Sequence, residues 1–316
     1  MTRQIELCIA RIEHEANDVR RFVLTSASGA PLPAFTAGAH IDLHLTAGLS
    51  RSYSLLNSQD DRDRYEIGVA LDRESRGGSR YLFEAVNVGD RLGASQPRNL
   101  FALDESAPYS VLIGGGIGIT PLISMARRLQ SLGRDWRLHF CCRSRVAAPF
   151  LTDLEAFGDN VAFRFDDQHT EFLDLANLIR AAPAGAHFYC CGPKPMLAAF
   201  DAAIRSTGLP ADRTHIETFK PILDVGVDAG LVIELARTGQ AIDVTPGTSI
   251  LEALRAAGVS AQSSCETGIC GECQVAVLDG IPDHRDSVLT DSERASNKMM
   301  MICCSGAKTP KLVLDL

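Results

Sequence analysis

Ten cysteines lie in this chain of 316 residues, and four near the C-terminus have a spacing that suits one task. Cys265, Cys270, Cys273 and Cys303 read C-x4-C-x2-C, with the last cysteine following after 29 residues. That is the ligand spacing of a plant-type 2Fe-2S cluster, in which four thiolates hold two irons and two bridging sulfides. The run SCETGICGEC supplies Gly268 and Gly271 where backbone must wrap closely around sulfur and donate N–H groups to it. The adjacent Cys304 leaves some ambiguity over the fourth ligand. A cluster of this kind moves one electron at a time, so the first question is where its electrons come from and where they go.

Four further motifs bear on that question. VLIGGGIGITPLISMARRL places Gly114, Gly115, Gly116 and Gly118 after an apolar strand and before a helix, where a pyrophosphate can approach backbone N–H groups. The spacing is not GxGxxG, and a tight strand-to-helix turn would also want glycines. FYCCGPKPM is a second strand end of this kind, with Cys191-Gly192-Pro193 and then Met196 opening a helix. Two glycine-bearing strand ends facing one crevice at the carboxyl edge of a sheet suit a dinucleotide. Upstream, Arg51-Ser52-Tyr53-Ser54-Leu55 alternates a phosphate-binding guanidinium with a ring that can lie against a flat cofactor. Arg76-Gly77-Gly78-Ser79, entering a helix, could cradle a terminal phosphate. A strand with alternating Arg and Tyr is also an ordinary barrel strand.

The elements that must position these residues fall into three stretches. Residues 1–104 alternate in short segments broken by turns (IELCIARI, RRFVLTS, HIDLHLT, RSYSLL, YEIGVALD), the pattern of an antiparallel β-barrel or sandwich, with one helix-like stretch, SRYLFEAV. Residues 105–222 alternate apolar strands with amphipathic helices, the pattern of a parallel α/β sheet. Pro221 and the glycines of KPILDVGVDAG mark a linker, and residues 229–316 open β-β-α, as a small β-grasp ferredoxin module does.

Composition limits the remaining classes. The hydrophobic content of 46% and charged content of 22% are those of a globular protein, and no apolar run reaches the ~18 to 20 residues of a membrane span. The first residues lack a signal-peptide core, so a cytoplasmic location is expected. A net charge of -8 argues against nucleic-acid binding. The other six cysteines read as reduced packing residues, with Cys191 the exception, and none of the eight histidines is assigned to catalysis.

RSYSLL, RGGS, PRNLF, GGGIGITP, CCGP, PDHRDSVL, the cysteine quartet and the ending LVLDL together closely resemble the phthalate dioxygenase reductase family, over essentially the whole chain. The resemblance implies an FMN domain, an NAD domain and a 2Fe-2S domain, in that order. It implies that Arg51, Tyr53 and Ser54 bind the flavin, that Gly77, Gly78 and Ser79 form its phosphate loop, and that Gly115, Gly116, Ile117, Gly118, Thr120 and Pro121 bind the pyridine nucleotide. Cys191, Gly192 and Pro193 would wall the nicotinamide, Phe219 would shield the flavin, and Glu217 lies in the same matching motif. Cys303 is the fourth ligand by this match.

The chain departs from the family at Ala70 and Leu71, which places more weight on Arg51, Arg76 and Arg80 for the flavin phosphate, and at Gly306, where the family often has arginine. The expected route is NADH to FMN to the 2Fe-2S cluster, because a nicotinamide gives two electrons together and the cluster takes one at a time. NADH is favoured over NADPH: Asp166 and Asp167 oppose the charge that Arg143 and Arg145 would offer a 2'-phosphate. The implied acceptor is a Rieske-type aromatic-ring dioxygenase or O-demethylase, met by an acidic face around Glu266, Glu272, Asp279 and Asp283, with the reductase a monomer. Other classes are a reductase serving a monooxygenase or quinone and a non-enzymatic redox sensor.

Overall fold

The computed structural model of the chain describes residues 4–46, 49–72, 77–169, 171–219, 227–263, 266, 268 and 270–316. Contacts divide it into two compact units, Met1–Thr218 and Phe219–Leu316.

The first unit opens with six strands: β1 (Ile5–Ala16), β2 (Val19–Ser26), β3 (His40–Thr46), β4 (Leu49–Ser54), β5 (Arg64–Ala70) and β6 (Arg91–Ala94), with the short helix α1 (Gly78–Glu84) before β6. They pair antiparallel in the order β4-β3-β6-β1-β2-β5. A bridge between Leu55 and Ile67 joins the two ends, closing the sheet into a barrel. Alternation packs Leu7, Ile9, Phe22, Leu24, Ile41, Leu43, Tyr65 and Ile67 inside. Strand β5 breaks the alternation: it is buried on both faces, because Tyr65, Ile67 and Val69 face the barrel core while Gly68 approaches Phe150 and Thr120 of the next layer.

That layer is an α/β sheet built from β7 (Ser110–Gly115), α2 (Ile119–Ser131), β8 (Trp136–Cys142), α3 (Leu151–Glu155), β9 (Val161–Phe165), α4 (Leu175–Ala181), β10 (His187–Cys191), α5 (Lys194–Thr207) and β11 (Thr214–Glu217). All five strands are parallel, in the order β11-β10-β7-β8-β9. The winding reverses between β7 and β10, so a crevice opens where their carboxyl ends lie side by side, with Gly114 opposite Cys191.

The second unit contains β12 (Leu231–Leu235), β13 (Ala241–Val244), α6 (Ile250–Ala256), β14 (Gln274–Asp279), β15 (Pro282–Asp283), α7 (Asp291–Ser296), β16 (Met299–Met301), β17 (Gly306–Ala307) and β18 (Lys311–Leu314). A mixed sheet runs β13-β12-β18-β14-β16, with β12 and β18 parallel, and α6 is packed on its core through Ile250, Leu251 and Leu254. This is the β-grasp expected from the sequence. Capping boxes start both of its helices, Ser249 with Glu252 and Thr290 with Glu293, satisfying N–H groups that would otherwise lack partners.

Candidate functional site

The two flavin motifs of the barrel come together. Arg51, Tyr53 and Ser54 lie on β4, and Gly78 opens α1 against the stem of Arg51: a Cβ on Gly78 would sit 2.6 Å from Arg51 Cγ and 3.1 Å from Nε. Gly77 holds φ 97, a left-handed conformation that favours glycine. The Ser79 hydroxyl accepts the Asp72 N–H at 3.1 Å, tying the loop's exit to its entrance. Burial raises the Tyr53 hydroxyl above its ordinary range, opposed by the nearby Arg51 charge, so the phenol stays neutral. Arg80 is exposed on α1, and Arg76 lies outside the described residues. An ion pair that the motifs did not foretell braces this wall: Arg98 of PRNLF binds Asp42 on β3, which also accepts the Ser52 hydroxyl at 2.6 Å.

The glycine run at the crevice divides into two kinds of position. Gly114, Gly115 and Gly118 are small because protein packs there: a Cβ on Gly115 would meet Pro193 at 2.7 Å and Met196 at 2.9 Å, and one on Gly118 would run into the Cys191 carbonyl. The two loops are thus keyed into each other. Gly116, in the 3-10 turn Gly116–Gly118, differs, with φ 53 and nothing within 4 Å of its missing Cβ. It faces open space, the position a ligand's phosphate could approach. Thr120 donates its hydroxyl to the Ile117 carbonyl at 3.1 Å, and Pro121 follows it in the first turn of α2.

At the floor of this crevice three polar groups from separate parts of the chain converge. Ser54 donates to Glu217 at 3.5 Å, and Glu217 pairs in register with Cys191 across β10 and β11. Burial pushes the Glu217 carboxyl up to about 8, and the Ser54 hydroxyl offsets this only in part. The Cys191 thiol is held well above its ordinary range by burial first and by Glu217 second. All three groups are therefore mostly uncharged at neutral pH. Sequence reasoning named each residue but left the role of Glu217 open; the tertiary fold brings Ser54 to it. Two further cysteines of the α/β sheet are kept protonated by the same cause, burial pushing Cys141 up to about 11 and Cys190 to about 12.

Beyond the crevice, Arg145 is already engaged by Glu155 and lies 6.0 Å from each of the Phe163 and Phe165 rings. Asp166 and Asp167 turn back onto β8 through N–H bonds to Cys142 and Arg143, leaving both carboxylates exposed.

In the second unit, Cys273 and Cys303 are buried and meet: a hydrogen bond to Cys273, then one to Cys304, raises the Cys303 thiol far above its usual range. Cys270 is half-buried, Cys265 lies outside the described residues, and among the described residues no three metal-ligating side chains are gathered. The surrounding backbone fits a cluster. Glu266, Gly268 and Gly271 have φ 54, 80 and 80, and a Cβ on Gly268 would lie 2.6 Å from Cys304 Sγ and 3.2 Å from Asp286 Cα. Gly268 has no room for a side chain, and both glycines hold a left-handed φ, as a close-wrapped thiolate cradle requires.

The expected acidic face is corrected at one of its four positions. Glu266 is buried, and its carboxylate binds Arg255 Nη1 at 2.8 Å, so it presents no charge to a partner. Asp283 is paired with Arg285 at 2.9 Å. Phe219 begins the second unit and is 42% exposed.

A closed antiparallel barrel joined to a parallel α/β layer with a crevice at its switch point, followed by a β-grasp module with a cysteine cradle, defines a modular iron–sulfur reductase. Residues 233–308 match the 2Fe-2S iron–sulfur cluster binding domain family. The chain is 51% identical to the phenoxybenzoate dioxygenase subunit beta of Ectopseudomonas oleovorans, covering 99% of this chain and 97% of that one. It is 46% identical to the tetrachlorobenzoquinone reductase of Sphingobium chlorophenolicum, covering 99% and 98%. It superposes with a TM-score of 0.81 and 38% identity on phthalate dioxygenase reductase, a modular structure for electron transfer from pyridine nucleotides to 2Fe-2S, over 99% of this chain and 98% of that one. The chain belongs to the phthalate dioxygenase reductase family.

Proposed function

We propose that this chain takes electrons from NADH through FMN to a 2Fe-2S cluster and delivers them to a Rieske-type aromatic-ring dioxygenase or O-demethylase. The observation that carries the reading is the crevice floor: Ser54 of strand β4, which bears the flavin motif, reaches Glu217 beside Cys191, at the point where a parallel sheet binds nucleotides. FMN, when bound, would supply the chemistry that joins a two-electron hydride donor to a one-electron acceptor.

The chain's own groups position and insulate. Arg51, Tyr53 and Ser54 hold the flavin phosphate and ring, with Gly77, Gly78 and Ser79 closing over the phosphate. Gly116 admits the pyrophosphate on a loop that Gly115, Gly118, Thr120 and Pro121 shape, while Cys191, Gly192 and Pro193 form the nicotinamide wall. A neutral Glu217 keeps the floor uncharged, so that it does not trap the cationic oxidised nicotinamide. Phe219 shields the flavin, and Cys265, Cys270, Cys273 and Cys303 hold the irons. The engagement of Arg145 by Glu155 supports NADH over NADPH by removing one cation from the ribose end.

The flavin module spans 1–104, the nucleotide module 105–222 and the cluster module 229–316. The gap between β6, ending at Ala94, and β7, starting at Ser110, supports the first boundary, and the unit break after Thr218 falls near the second. The protein acts as a cytoplasmic monomer; among the described residues no helix is long and apolar enough to cross a membrane.

Anaerobic titration of the holoprotein with NADH tests the route: flavin absorbance bleaches, and a rhombic cluster EPR signal follows. NADPH gives a lower kcat/KM, and flavin released by heat chromatographs as FMN. Recovery of FAD, or bleaching without a cluster signal, contradicts the scheme. One specific observation favours a second reading, a quinone as final acceptor: the 46% identity to a tetrachlorobenzoquinone reductase. Turnover of a chlorinated quinone faster than reduction of a Rieske oxygenase would select it.

A further inference from the structure

Where the barrel meets the α/β layer inside the first unit, one arginine is gripped by carboxylates from both. Arg21 of β2, its side chain 13% exposed, binds Glu15 of β1 (Nε–Oε1 2.7 Å), Glu66 of β5 (Nη1–Oε2 3.0 Å) and Asp153 of α3 through Nη2. Glu15 and Glu66 belong to the barrel. Asp153 belongs to the α/β layer and is held a second time by Arg127 of α2 at 2.5 Å. Every nitrogen of the Arg21 guanidinium therefore points to a carboxylate on a different element.

The joint continues toward the crevice. The other Glu15 oxygen accepts the Phe150 N–H at 3.1 Å, and the Arg21 guanidinium lies 5.2 Å from the centre of the Phe150 ring. Phe150 is fully buried with φ 58, a conformation that costs a bulky residue free energy and persists where its surroundings over-determine it. Its ring occupies the space beside Gly68 of β5: a Cβ there would lie 2.6 Å from Phe150 Cζ and 2.7 Å from Thr120 Cγ2. Thr120 stands in the first turn of α2, directly after the glycine loop. One continuous path thus links Arg21, Phe150, Gly68 and Thr120.

We infer that Arg21 is a positioning residue for hydride transfer, fixing the orientation of the flavin barrel against the nucleotide layer and with it the approach of nicotinamide to flavin. The inference rests on the flavin and nucleotide reading given above. A buried ion cluster is poor at adding net stability, since desolvation cancels much of the attraction. Three directed charge-assisted bonds from a planar group do something apolar contact does not: they define an angle. Hydride transfer is the step most sensitive to that angle, because a displacement of about 1 Å can cost ~100-fold in rate.

The test uses the holoprotein and stopped-flow bleaching of the flavin by NADH and by NADH deuterated at C4. Arg21→Met is expected to lower the limiting rate at saturating NADH by about 30- to 100-fold and to change the isotope effect. Flavin content and the EPR signal of the dithionite-reduced cluster stay as in the wild type, and Arg21→Lys recovers part of the rate. Asp153→Asn, which loosens the joint from the α/β side, moves the rate and isotope effect in the same direction and decides the matter should Arg21→Met fail to fold. Variants with a lowered melting temperature but an unchanged limiting rate and isotope effect would overturn the inference and leave a merely structural ion cluster. A wild-type flavin that NADH does not bleach would overturn the functional reading itself, which is a separate result.

Discussion

Replacing Glu217 by glutamine removes one titrating group from the crevice floor while keeping its shape and its bond to Ser54. In the wild type, burial lifts this carboxyl from 4.5 to about 8. Between those values the native protein keeps a proton that the unfolded chain has released, so the native state binds more protons and its stability falls as pH rises across the window. The contribution is fully present below pH 4.5 and is lost once pH passes about 8. At ~1.4 kcal/mol per pH unit the interval bounds the loss at about 5 kcal/mol, and relaxation with water entry around a charged carboxylate reduces it to about 2 to 4 kcal/mol. Glutamine has no such dependence, so wild type minus Glu217→Gln isolates the carboxyl.

The chain carries its own probe for this measurement. Trp136, the sole tryptophan, is buried at the start of β8 in the same compact unit as Glu217. Its fluorescence during urea unfolding follows that unit without reporting on the cluster module. The difference in unfolding free energy between the two proteins, measured at half-unit steps from pH 5 to 9, is expected to decline steadily and then level off. A flat difference would show that water reaches Glu217 and that the floor is charged at neutral pH, which would remove the argument for a neutral nicotinamide site.

Two further outcomes follow from the cluster cradle. Gly268→Ala places a methyl against Cys304 and forces a left-handed φ of 80 on alanine; cluster bleaching under mild denaturant is expected to quicken, with about 1 to 3 kcal/mol lost from the cluster module, and unchanged bleaching would show that the loop has slack. Cys303→Ser is expected to abolish the wild-type EPR signal whereas Cys304→Ser retains it, and the reverse pattern would move the fourth ligand to Cys304.

The parts of this protein that were legible in its sequence are those whose function demands local spacing. A cluster needs cysteines at fixed intervals along one loop, a strand-to-helix turn needs glycines in succession, and a half-buried strand such as β4 shows its alternation in six residues. Convergence over long separations left no such trace. Ser54 and Glu217 are 163 residues apart, and Arg21 and Asp153 are 132 apart. The acidic face failed at Glu266 for the same reason: its neutralising arginine, Arg255, comes from α6, and a charge that looks solvated in the sequence is buried once that helix packs.

Position 306 shows the same separation between sequence and space with the opposite result. The family resemblance leads to an expected arginine there and the chain has glycine, three residues after Cys303. In the fold, Arg285 reaches across from beside β15, and its Nη2 lies 3.5 Å from where a Gly306 Cβ would be. Asp283 and Asp228 hold it at 2.9 and 2.6 Å. A Cβ at position 306 would make ordinary contact with that guanidinium, and only a longer side chain would compete with Arg285 for the space. The cluster module thus keeps a cation at this place through a different residue, though one already paired with two carboxylates. Two carboxylates around one guanidinium leave a formal charge of -1 there, with Asp228 exposed, so Arg285 presents no net positive charge at this place.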